Sequence, residues 1–496
     1  MILERQIRHL AVALLTLFLV LLAQITYIQV VAADRLADNT ANAKRQLIAE
    51  YEIDRGEILA ADGRTILAAS RKSAGELRFE RRYPMGPLYA GISGYYSFVY
   101  GRSELERSFN DFLAGAAPQL LPQTLVDQIL GRPKRGASIV TTIDADVQEA
   151  AAQALGDQHG GVVAIDPRTG DVLALVANRT YDPNPLSSHD PQEVRDTWEQ
   201  LNADPDKPLV SVANDELFPP GSTFKLVVAA AALENGFGPE SRWPNPSELD
   251  LPDTNETLEN FGGVTCSGGS EITLADALRQ SCNVVFGEIG LALGAPALAE
   301  QAWAFGFAPT PSMGDVPFDI PFQEGVFPDP SYFVTRRPAV ALSAIGQDNV
   351  TANPMQMALV GAAIANGGIE MRPRLVSEVR GPDGRLIEAY EPEVFSRPLS
   401  PENAALLTAM LIDVVQRGTG TAAQIPGVTV AGKTGTAQHG QGAAPHAWFV
   451  SFAPVEDPQV AVAVIVLDGG SLGGDATGGR VAAPIARAVM EAALGR

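Results

Sequence analysis

The chain has 496 residues, too many for one ordinary hydrophobic core, so we expect two or three packed units and exclude a small binding module. Its 36 basic and 58 acidic residues leave a net charge of −22, which would repel nucleic acid and excludes a genome-binding role. Two cysteines are too few for a disulfide scaffold or for a four-thiolate metal site.

An uncharged apolar run from Leu10 to Val31 predicts a helix long enough to span a bilayer. Arg5 and Arg8 precede the run and Asp34 follows it, so the positive-inside rule places the N-terminus in the cytoplasm and exports the rest of the chain. A buried core helix and a cleaved signal peptide are the alternatives. The run is long for a signal peptide, which favours a retained single-pass type II anchor over residues 1–33.

Residues 34–155 are predicted to form a small membrane-proximal module, the pedestal. The sequence indicates a strand-like segment at Ile53–Leu59, a helical run at Glu104–Leu113, and turns at Asp62-Gly63 and at Gly91–Gly94. None of these segments carries a catalytic cluster.

The pedestal is predicted to end in a capped amphipathic helix. Asp144 is the N-cap, and the apolar residues Val147, Ala151 and Leu155 follow at spacings of three to four residues.

Residues 156–496 are predicted to form one α+β domain. Strands at both ends of a helical interior indicate a sheet that is closed by distant segments. The predicted elements are, in chain order, hairpin strands at Val162–Ile165 and Val172–Val176, a helix-rich segment from Ser222 to Ala365, strands at Val428–Val430, Trp448–Ala453 and Val460–Leu467, and a helix at Val481–Leu494.

Ser222 and Lys225 are candidates for nucleophilic chemistry. Ser222 lies just before the apolar helical segment Leu226–Leu233, and Lys225 is one turn further on, so its amine can reach the serine hydroxyl. A serine hydroxyl needs a neighbouring base, and burial would lower the pKa of the amine toward a useful value. An N-cap serine beside a surface lysine would explain the pair equally well. Lysine is scarce, with six against thirty arginines, which modestly favours a chemical role.

Two further motifs offer polar groups. Ser281-Cys282-Asn283 follows the predicted helix Leu274–Gln280 and presents a hydroxyl and an amide two residues apart. Lys433-Thr434-Gly435-Thr436 follows a predicted strand and presents an ammonium and two hydroxyls beside bare backbone, which suits a substrate carboxylate along an edge strand. An exposed polar strand end is the alternative for the second motif.

The order Ser-x-x-Lys, Ser-x-Asn, Lys-Thr-Gly resembles the motif set of penicillin-binding proteins and serine β-lactamases. The resemblance to class B penicillin-binding proteins covers residues 50–496 and implies the penicillin-binding transpeptidase fold. It extends to the segments Arg55-Gly56-Glu57-Ile58-Leu59, Ala344-Ile345-Gly346-Gln347, Thr351–Ala358, Ala365–Gly368 and His446–Phe449.

The resemblance implies a D,D-transpeptidase, which cross-links peptidoglycan stem peptides and is acylated by β-lactams. Ser222 would be the acylated nucleophile and Lys225 its base. Ser281 and Lys433 would pass the proton to the leaving amine, and Lys433 would also keep Lys225 partly neutral by like-charge repulsion.

The same resemblance implies the substrate-binding groups. Asn283 would bind the substrate backbone, and Thr434, Gly435 and Thr436 would form the edge that holds its carboxylate. The backbone N–H groups of Ser222 and Thr436 would form the oxyanion hole.

Cys266 and Cys282 are a disulfide candidate, because the body of the chain is expected outside the cytoplasm; two free buried thiols are the alternative. A bridge would tether the loop that carries Ser281 and Asn283. The middle cysteine is itself uncommon in the Ser-x-Asn motif of the wider family.

No metal and no cofactor are expected. His439 and His446 lie near Lys433 in the sequence, but no carboxylate or third histidine stands at ligand spacing from them.

The partners implied are stem peptides, β-lactams and a separate membrane glycan polymerase with other cell-wall machinery. The alternatives are a D,D-carboxypeptidase, a β-lactamase-like hydrolase and a catalytically idle cell-wall scaffold. No Glu-x-x-Leu-Asn element lies between Asn283 and Lys433, which disfavours a β-lactamase. The few residues before the anchor are too short for the signalling domain of a receptor.

Overall fold

The fold is described from a computed structural model, which describes residues 2–32, 48–75, 77–122, 127, 129–267, 269–440 and 442–496. The helices are α1 (Ile2–Thr26), α2 (Gly86–Ser93), α3 (Glu104–Ser108), α4 (Asn110–Leu113), α5 (Ala145–Leu155), α6 (Pro191–Ala203), α7 (Lys225–Glu234), α8 (Leu274–Gln280), α9 (Asn283–Ala304), α10 (Arg337–Ser343), α11 (Pro354–Ala365), α12 (Pro401–Arg417) and α13 (Ala482–Ala493).

The strands are mostly short. They are β1 (Ile58–Leu59), β2 (Ile66–Lys72), β3 (Phe79–Arg82), β4 (Tyr96–Ser97), β5 (Gly101–Arg102), β6 (Ser138–Thr141), β7 (Gly160–Ile165), β8 (Val172–Asn178), β9 (Arg242–Pro244), β10 (Glu248–Asp250), β11 (Thr257–Glu259), β12 (Glu271–Thr273), β13 (Glu370–Met371), β14 (Val376–Arg380), β15 (Leu386–Ala389), β16 (Val394–Ser396), β17 (Ala431–Ala437), β18 (His446–Ala453) and β19 (Val460–Val466).

Helix α1 continues into a π-helical turn at Tyr27–Val31. Its apolar stretch from Arg5 to Val30 is exposed and long enough to cross a membrane, which agrees with a membrane anchor. The predicted boundary between residues 33 and 34 lies outside the described residues.

A six-stranded sheet, in the order β15-β14-β6-β1-β2-β3, forms the pedestal. Strands β1 and β6 are parallel, whereas the other pairs are antiparallel. Strands β14 and β15 come from the second predicted domain, so the two parts of the chain share this sheet. The division into 1–33, 34–155 and 156–496 stays a prediction.

A buried ionic cluster joins three segments of the pedestal. Glu106 on α3 accepts from Arg55 Nε at 2.7 Å and from Arg81 Nε at 2.5 Å, and the three residues are at most 5% exposed. Burial disfavours ionisation of Glu106, but the two guanidinium groups hold its pKa below the usual range. The paired charges therefore fix α3 against the sheet.

The second sheet has five antiparallel strands in the order β17-β18-β19-β7-β8. Helices α5 and α13 cover one face and α11 covers the other. Successive strand residues such as Val162 and Val163 point to opposite faces of the sheet and are buried in different core clusters. Both faces are therefore buried, which explains why the strand sequences are continuous apolar runs. Strands from both ends of residues 156–496 therefore close one sheet, and the predicted α+β fold is confirmed.

Helix α7 lies in the centre of the helical region. All its residues from Lys225 to Leu233 are buried, and it packs against α9 and α12. A helix that is apolar all round is a core helix. Its first residue is consequently held inside the protein.

Several local predictions are confirmed and two are wrong. The side chain of Asp144 caps α5, and the predicted hairpin is β7–β8. The turn predicted at Gly91–Gly94 is wrong, because α2 continues to Ser93 and ends only at Gly94. The strand predicted at Val428–Val430 is also displaced, since β17 begins at Ala431.

Candidate active site

Ser222 lies in a 3₁₀ turn, Gly221–Phe224, that leads directly into α7. Its neighbours in the turn are buried, whereas Ser222 itself is partly exposed. Gly346 packs against this turn: its carbonyl accepts from Gly221 N at 2.9 Å, and an added Cβ would lie 2.1 Å from Gly221 O. The close approach of two backbones therefore fixes the position of the serine.

Lys225 is fully buried and its amine is held by the Ser281 motif. Nζ donates to Ser281 O and to Asn283 Oδ1, both at 2.8 Å, and lies 3.4 Å from Ser281 Oγ. Burial, together with the charge of Lys433, holds the pKa of Lys225 well below its usual range. Within the described residues, no hydrogen bond connects Lys225 with Ser222, although the two are one turn apart.

Lys433 approaches the same hydroxyl from β17. Its Nζ donates to Ser281 Oγ at 2.8 Å and to Thr434 O at 2.9 Å, and the side chain is fully buried. Burial lowers the pKa of Lys433 to about 7. Ser281 Oγ thus lies between two amines that both lose protons far more easily than a surface lysine does.

Ser281 is placed by an unusual backbone conformation. It ends α8 with φ 61° and ψ 42°, the left-handed region that non-glycine residues rarely adopt. This conformation turns the chain between α8 and α9 and presents both the carbonyl and the hydroxyl of Ser281 to the lysines.

Asn283 is engaged at both ends of its amide. Its Oδ1 accepts from Lys225, and its Nδ2 donates to Glu259 O at 3.1 Å. Asn283 therefore positions the Lys225 amine, a contact that the sequence did not predict.

Strand β17 forms the open edge of the site. Gly435 brings it close to the serine turn, because an added Cβ would lie 3.0 Å from Pro220 O. Thr434 Oγ1 lies 2.6 Å from Thr419 Oγ1, and Trp448 Nε1 on β18 donates to Pro219 O at 3.0 Å. Thr419 was missed by sequence reasoning, since a threonine between two glycines after a long helix carries no distinctive signal.

The structure joins Cys266 and Cys282 in a disulfide across 16 residues of sequence. Asn245 Nδ2 donates to Cys266 O at 2.6 Å, and Gln280 Oε1 accepts from Ser267 N at 2.8 Å. Gln280 and Cys282, the residues on either side of Ser281, are thus held to the segment 266–267 by a hydrogen bond and by the disulfide.

A family model for the penicillin binding protein transpeptidase domain matches residues 160–491. The chain is 42% identical over 496 residues to the peptidoglycan D,D-transpeptidase PbpA of Mycolicibacterium smegmatis, covering 98% of each chain. The chain belongs to the penicillin-binding protein transpeptidase family.

Further comparisons agree with this. A model for the penicillin binding protein A dimerisation domain matches residues 55–139 of this penicillin-binding protein. PbpA of Mycobacterium tuberculosis is 39% identical over 497 residues, covering 98% of each chain. The structure of penicillin-binding protein A from M. tuberculosis as a ceftriaxone acyl-enzyme matches with a TM-score of 0.84 at 39% identity, covering 90% of this chain and all of that one. The sequence had also indicated, from its size, anchor and paired cysteines, a likeness to actinobacterial penicillin-binding protein A, and this is confirmed.

One polar cluster of this penicillin-binding protein lies beside β17. His439 and His446 stack with ring centroids 3.9 Å apart, and Asp468 Oδ1 lies 3.0 Å from His439 Nε2. The three side chains could offer ligand atoms within 4.8 Å of one another. Sequence spacing did not reveal the carboxylate, because Asp468 reaches the histidines only through the fold. That these residues bind no metal stays a prediction.

Proposed function

We propose that this penicillin-binding protein is a peptidoglycan D,D-transpeptidase with Ser222 as its nucleophile. The observation that carries the proposal is that two buried amines, Lys225 and Lys433, meet at the Ser281 hydroxyl. Lys225 itself lies one helical turn after Ser222. Relatives of this chain bear the name peptidoglycan D,D-transpeptidase, and a similar structure is a β-lactam acyl-enzyme.

Lys225 is the general base. A neutral amine has two N–H bonds and one lone pair, and the carbonyl of Ser281 and Oδ1 of Asn283 accept both N–H bonds. The lone pair is therefore left to take the proton of Ser222. Burial and the charge of Lys433 lower the pKa of Lys225, which favours the neutral amine that a general base requires.

Lys433 supplies positive charge on the other side of Ser281. Two of its N–H bonds go to Ser281 Oγ and Thr434 O, and the third is available to a substrate carboxylate. Asn283, Thr434, Gly435 and Thr436 bind the backbone and carboxylate of the stem peptide.

The reaction has two halves. Ser222 Oγ attacks the carbonyl carbon of the penultimate D-alanine while its proton passes to Lys225. The C–N bond then breaks, a proton reaches the leaving nitrogen through Ser281 and Lys433, and the terminal D-alanine departs. The amine of a neighbouring stem peptide then attacks the ester carbonyl. A new amide C–N bond forms, the ester C–O bond to Ser222 breaks, and a proton from the amine passes to Ser222 Oγ. The backbone N–H groups of Ser222 and Thr436 stabilise the oxyanion in both halves.

The test is incubation with a fluorescent penicillin followed by mass spectrometry of the peptides. We expect a stable adduct on Ser222 that is absent in Ser222→Ala, with Ser187→Ala as a control that still labels. Rapid turnover of the penicillin would indicate a β-lactamase, and no labelling of the folded protein would indicate a scaffold. With a stem pentapeptide and an acceptor peptide, a cross-linked product supports transpeptidation, whereas D-alanine release without cross-linking indicates a D,D-carboxypeptidase.

The membrane placement and partners are part of the same proposal. The exposed α1 anchors the protein, and the arginines before the apolar run favour an extracytoplasmic catalytic domain. A separate membrane glycan polymerase supplies the glycan strands. Protease digestion of intact and permeabilised cells tests the orientation, and a pull-down with the anchor intact tests the polymerase.

A further inference from the structure

A cavity of about 280 Å³ lies at the junction of the pedestal and the second sheet. It is bounded by α2, α5, β8 and the segment 208–215, and β8 is the sheet edge opposite β17. The cavity is therefore separate from the site around Ser222. Its volume is close to the lower end of the roughly 300–1,000 Å³ found for small-molecule sites.

The wall of this junction cavity is mostly apolar. Aliphatic side chains come from both parts of the chain, and they include Leu88 on α2, Leu155 on α5 and Leu175 on β8. A body of aliphatic or aromatic carbon would contact these residues and lose its contact with water.

Two carboxyl groups interrupt the apolar wall. Glu104 lies at the start of α3, and within the described residues its buried Oε2 has no hydrogen-bond partner. Asp215 is partly satisfied, since it accepts from Ser211 N at 3.0 Å and from Asn214 Nδ2 at 2.9 Å. A buried carboxylate oxygen without a donor is costly, so a positively charged hydrogen-bond donor in the cavity would stabilise the ionised form of Glu104.

The positively charged side chains nearby do not neutralise Glu104 and Asp215. Arg107 lies near enough to lower both pKa values, but no ion pair between Arg107 and either carboxyl occurs in the described chain. Arg179 lines the cavity but pairs with Asp206 at 2.8 Å.

Tyr181 also faces the pair of carboxyl groups, and it carries no positive charge. Burial and then the charge of Asp215 raise the pKa of Glu104 to about 8, and burial raises that of Asp215 to about 6. Both shifts show that negative charge is under-compensated in this cavity.

We propose that the junction cavity binds a small organic ammonium compound. Its cationic group lies between Glu104 and Asp215 and donates to the unpaired Oε2, and its apolar body packs against Leu88, Leu155 and Leu175. Because residues of both parts of the chain line the cavity, the bound compound stabilises their junction.

Calorimetric titration of the full-length protein with cyclohexylmethylamine tests this proposal, with cyclohexylmethanol as a neutral probe of the same shape. We expect saturable binding of the amine at pH 9 and binding of the alcohol at least tenfold weaker. Between pH 9 and pH 7 the affinity for the amine falls about tenfold, because Glu104, with a pKa of about 8, takes up a proton. Equal affinities of the two probes, no saturation by the amine, or a pH-independent affinity would overturn the proposal.

Substitutions locate the binding. Glu104→Gln should weaken binding of the amine at least tenfold, whereas Glu149→Gln, which removes an exposed charge from α5, should leave it unchanged. Removal of an unpaired buried carboxyl is expected to raise the melting temperature, so Glu104→Gln should fold. Unchanged affinity in Glu104→Gln refutes the site, and the comparison of the two probes on the unmodified protein decides the question independently of any variant.

Discussion

Replacement of Lys433 by arginine should change the pH dependence of acylation. Burial lowers the pKa of Lys433 to about 7, so its ammonium form is lost as the pH rises through neutrality. At pH 8, one unit higher, about a tenth of the molecules keep the charge. If acylation requires the Lys433 ammonium, loss of this charge alone lowers the rate at pH 8 to about a tenth of the rate with Lys433 fully protonated.

The acid side of the profile is set by the other amine. In the proposed mechanism Lys225 must be neutral to accept the proton of Ser222, and its pKa lies well below the usual range because of burial and the charge of Lys433. Acylation therefore declines at low pH, where Lys225 is protonated, and the complete profile is bell-shaped.

Arginine stays charged across this range, so Lys433→Arg should lose the decline above pH 7. Its maximal rate should also be lower, because a guanidinium cannot pass a proton to Ser281 and does not reproduce the contacts of one nitrogen with Ser281 Oγ and Thr434 O. Stopped-flow acylation by a fluorescent penicillin between pH 5.5 and 9 measures both effects. Lys207→Arg, the same change at an exposed lysine, is the control. A flat profile from pH 6 to 9, or the same decline in Lys433→Arg, would refute the reasoning.

Two further predictions concern stability. Replacing both Cys266 and Cys282 by serine should lower the free energy of unfolding by about 3 kcal/mol, because their disulfide spans 16 residues of sequence; urea unfolding measures the loss. Glu106→Gln should cost about 3–5 kcal/mol, because Arg55 and Arg81 then remain buried without a carboxylate, and the same unfolding assay applies.

The Glu106 prediction has a control variant, and each of the two predictions has an outcome that would contradict it. Glu393→Gln removes an exposed ion pair with Arg372 and should change stability by no more than about 1 kcal/mol. A similarly small loss in Glu106→Gln would show that the buried cluster is not needed. Free thiols in the unreduced protein, detected by alkylation and intact mass, would contradict the disulfide.

Local signals predicted the local structure well. Asp144 caps α5 because an aspartate before an apolar periodic run satisfies free N–H groups, whatever the rest of the chain does. The segment Gly91–Gly94 shows the limit of such signals. Gly91 lies inside α2, where an added Cβ would lie 3.7 Å from Leu175 on β8, so packing against the second sheet outweighs the low helix propensity of glycine.

Long-range contacts were not accessible from the sequence. Strand β14 pairs with β6 across more than 200 residues, so the pedestal sheet could not be delimited from the first 155 residues. In the same way, Asp468 after β19 reaches His439 after β17 only because β18 pairs with both of these strands. Local patterns contain no information on such pairs.

At the site, too, the sequence predicted which residues act together but not the hydrogen bonds between them. The motif order predicted that Lys225, Ser281, Asn283 and Lys433 act together, and the structure brings these four side chains into contact. The direction of each hydrogen bond was not predictable, because it depends on the left-handed backbone at Ser281. That conformation turns both its carbonyl and its hydroxyl toward amines.

Two of the lysines occupy positions where a guanidinium could not replace the amine. Lys225 and Lys433 are fully buried, whereas Lys72, Lys134 and Lys207 are exposed. An arginine at either buried position would stay protonated, so it could neither accept the proton of a serine nor share one with Ser281 near neutral pH. Burial gives an amine, and not a guanidinium, two accessible protonation states. The two lysines can therefore differ in charge within hydrogen-bonding distance of one hydroxyl, which the proposed proton transfer to and from Ser222 requires.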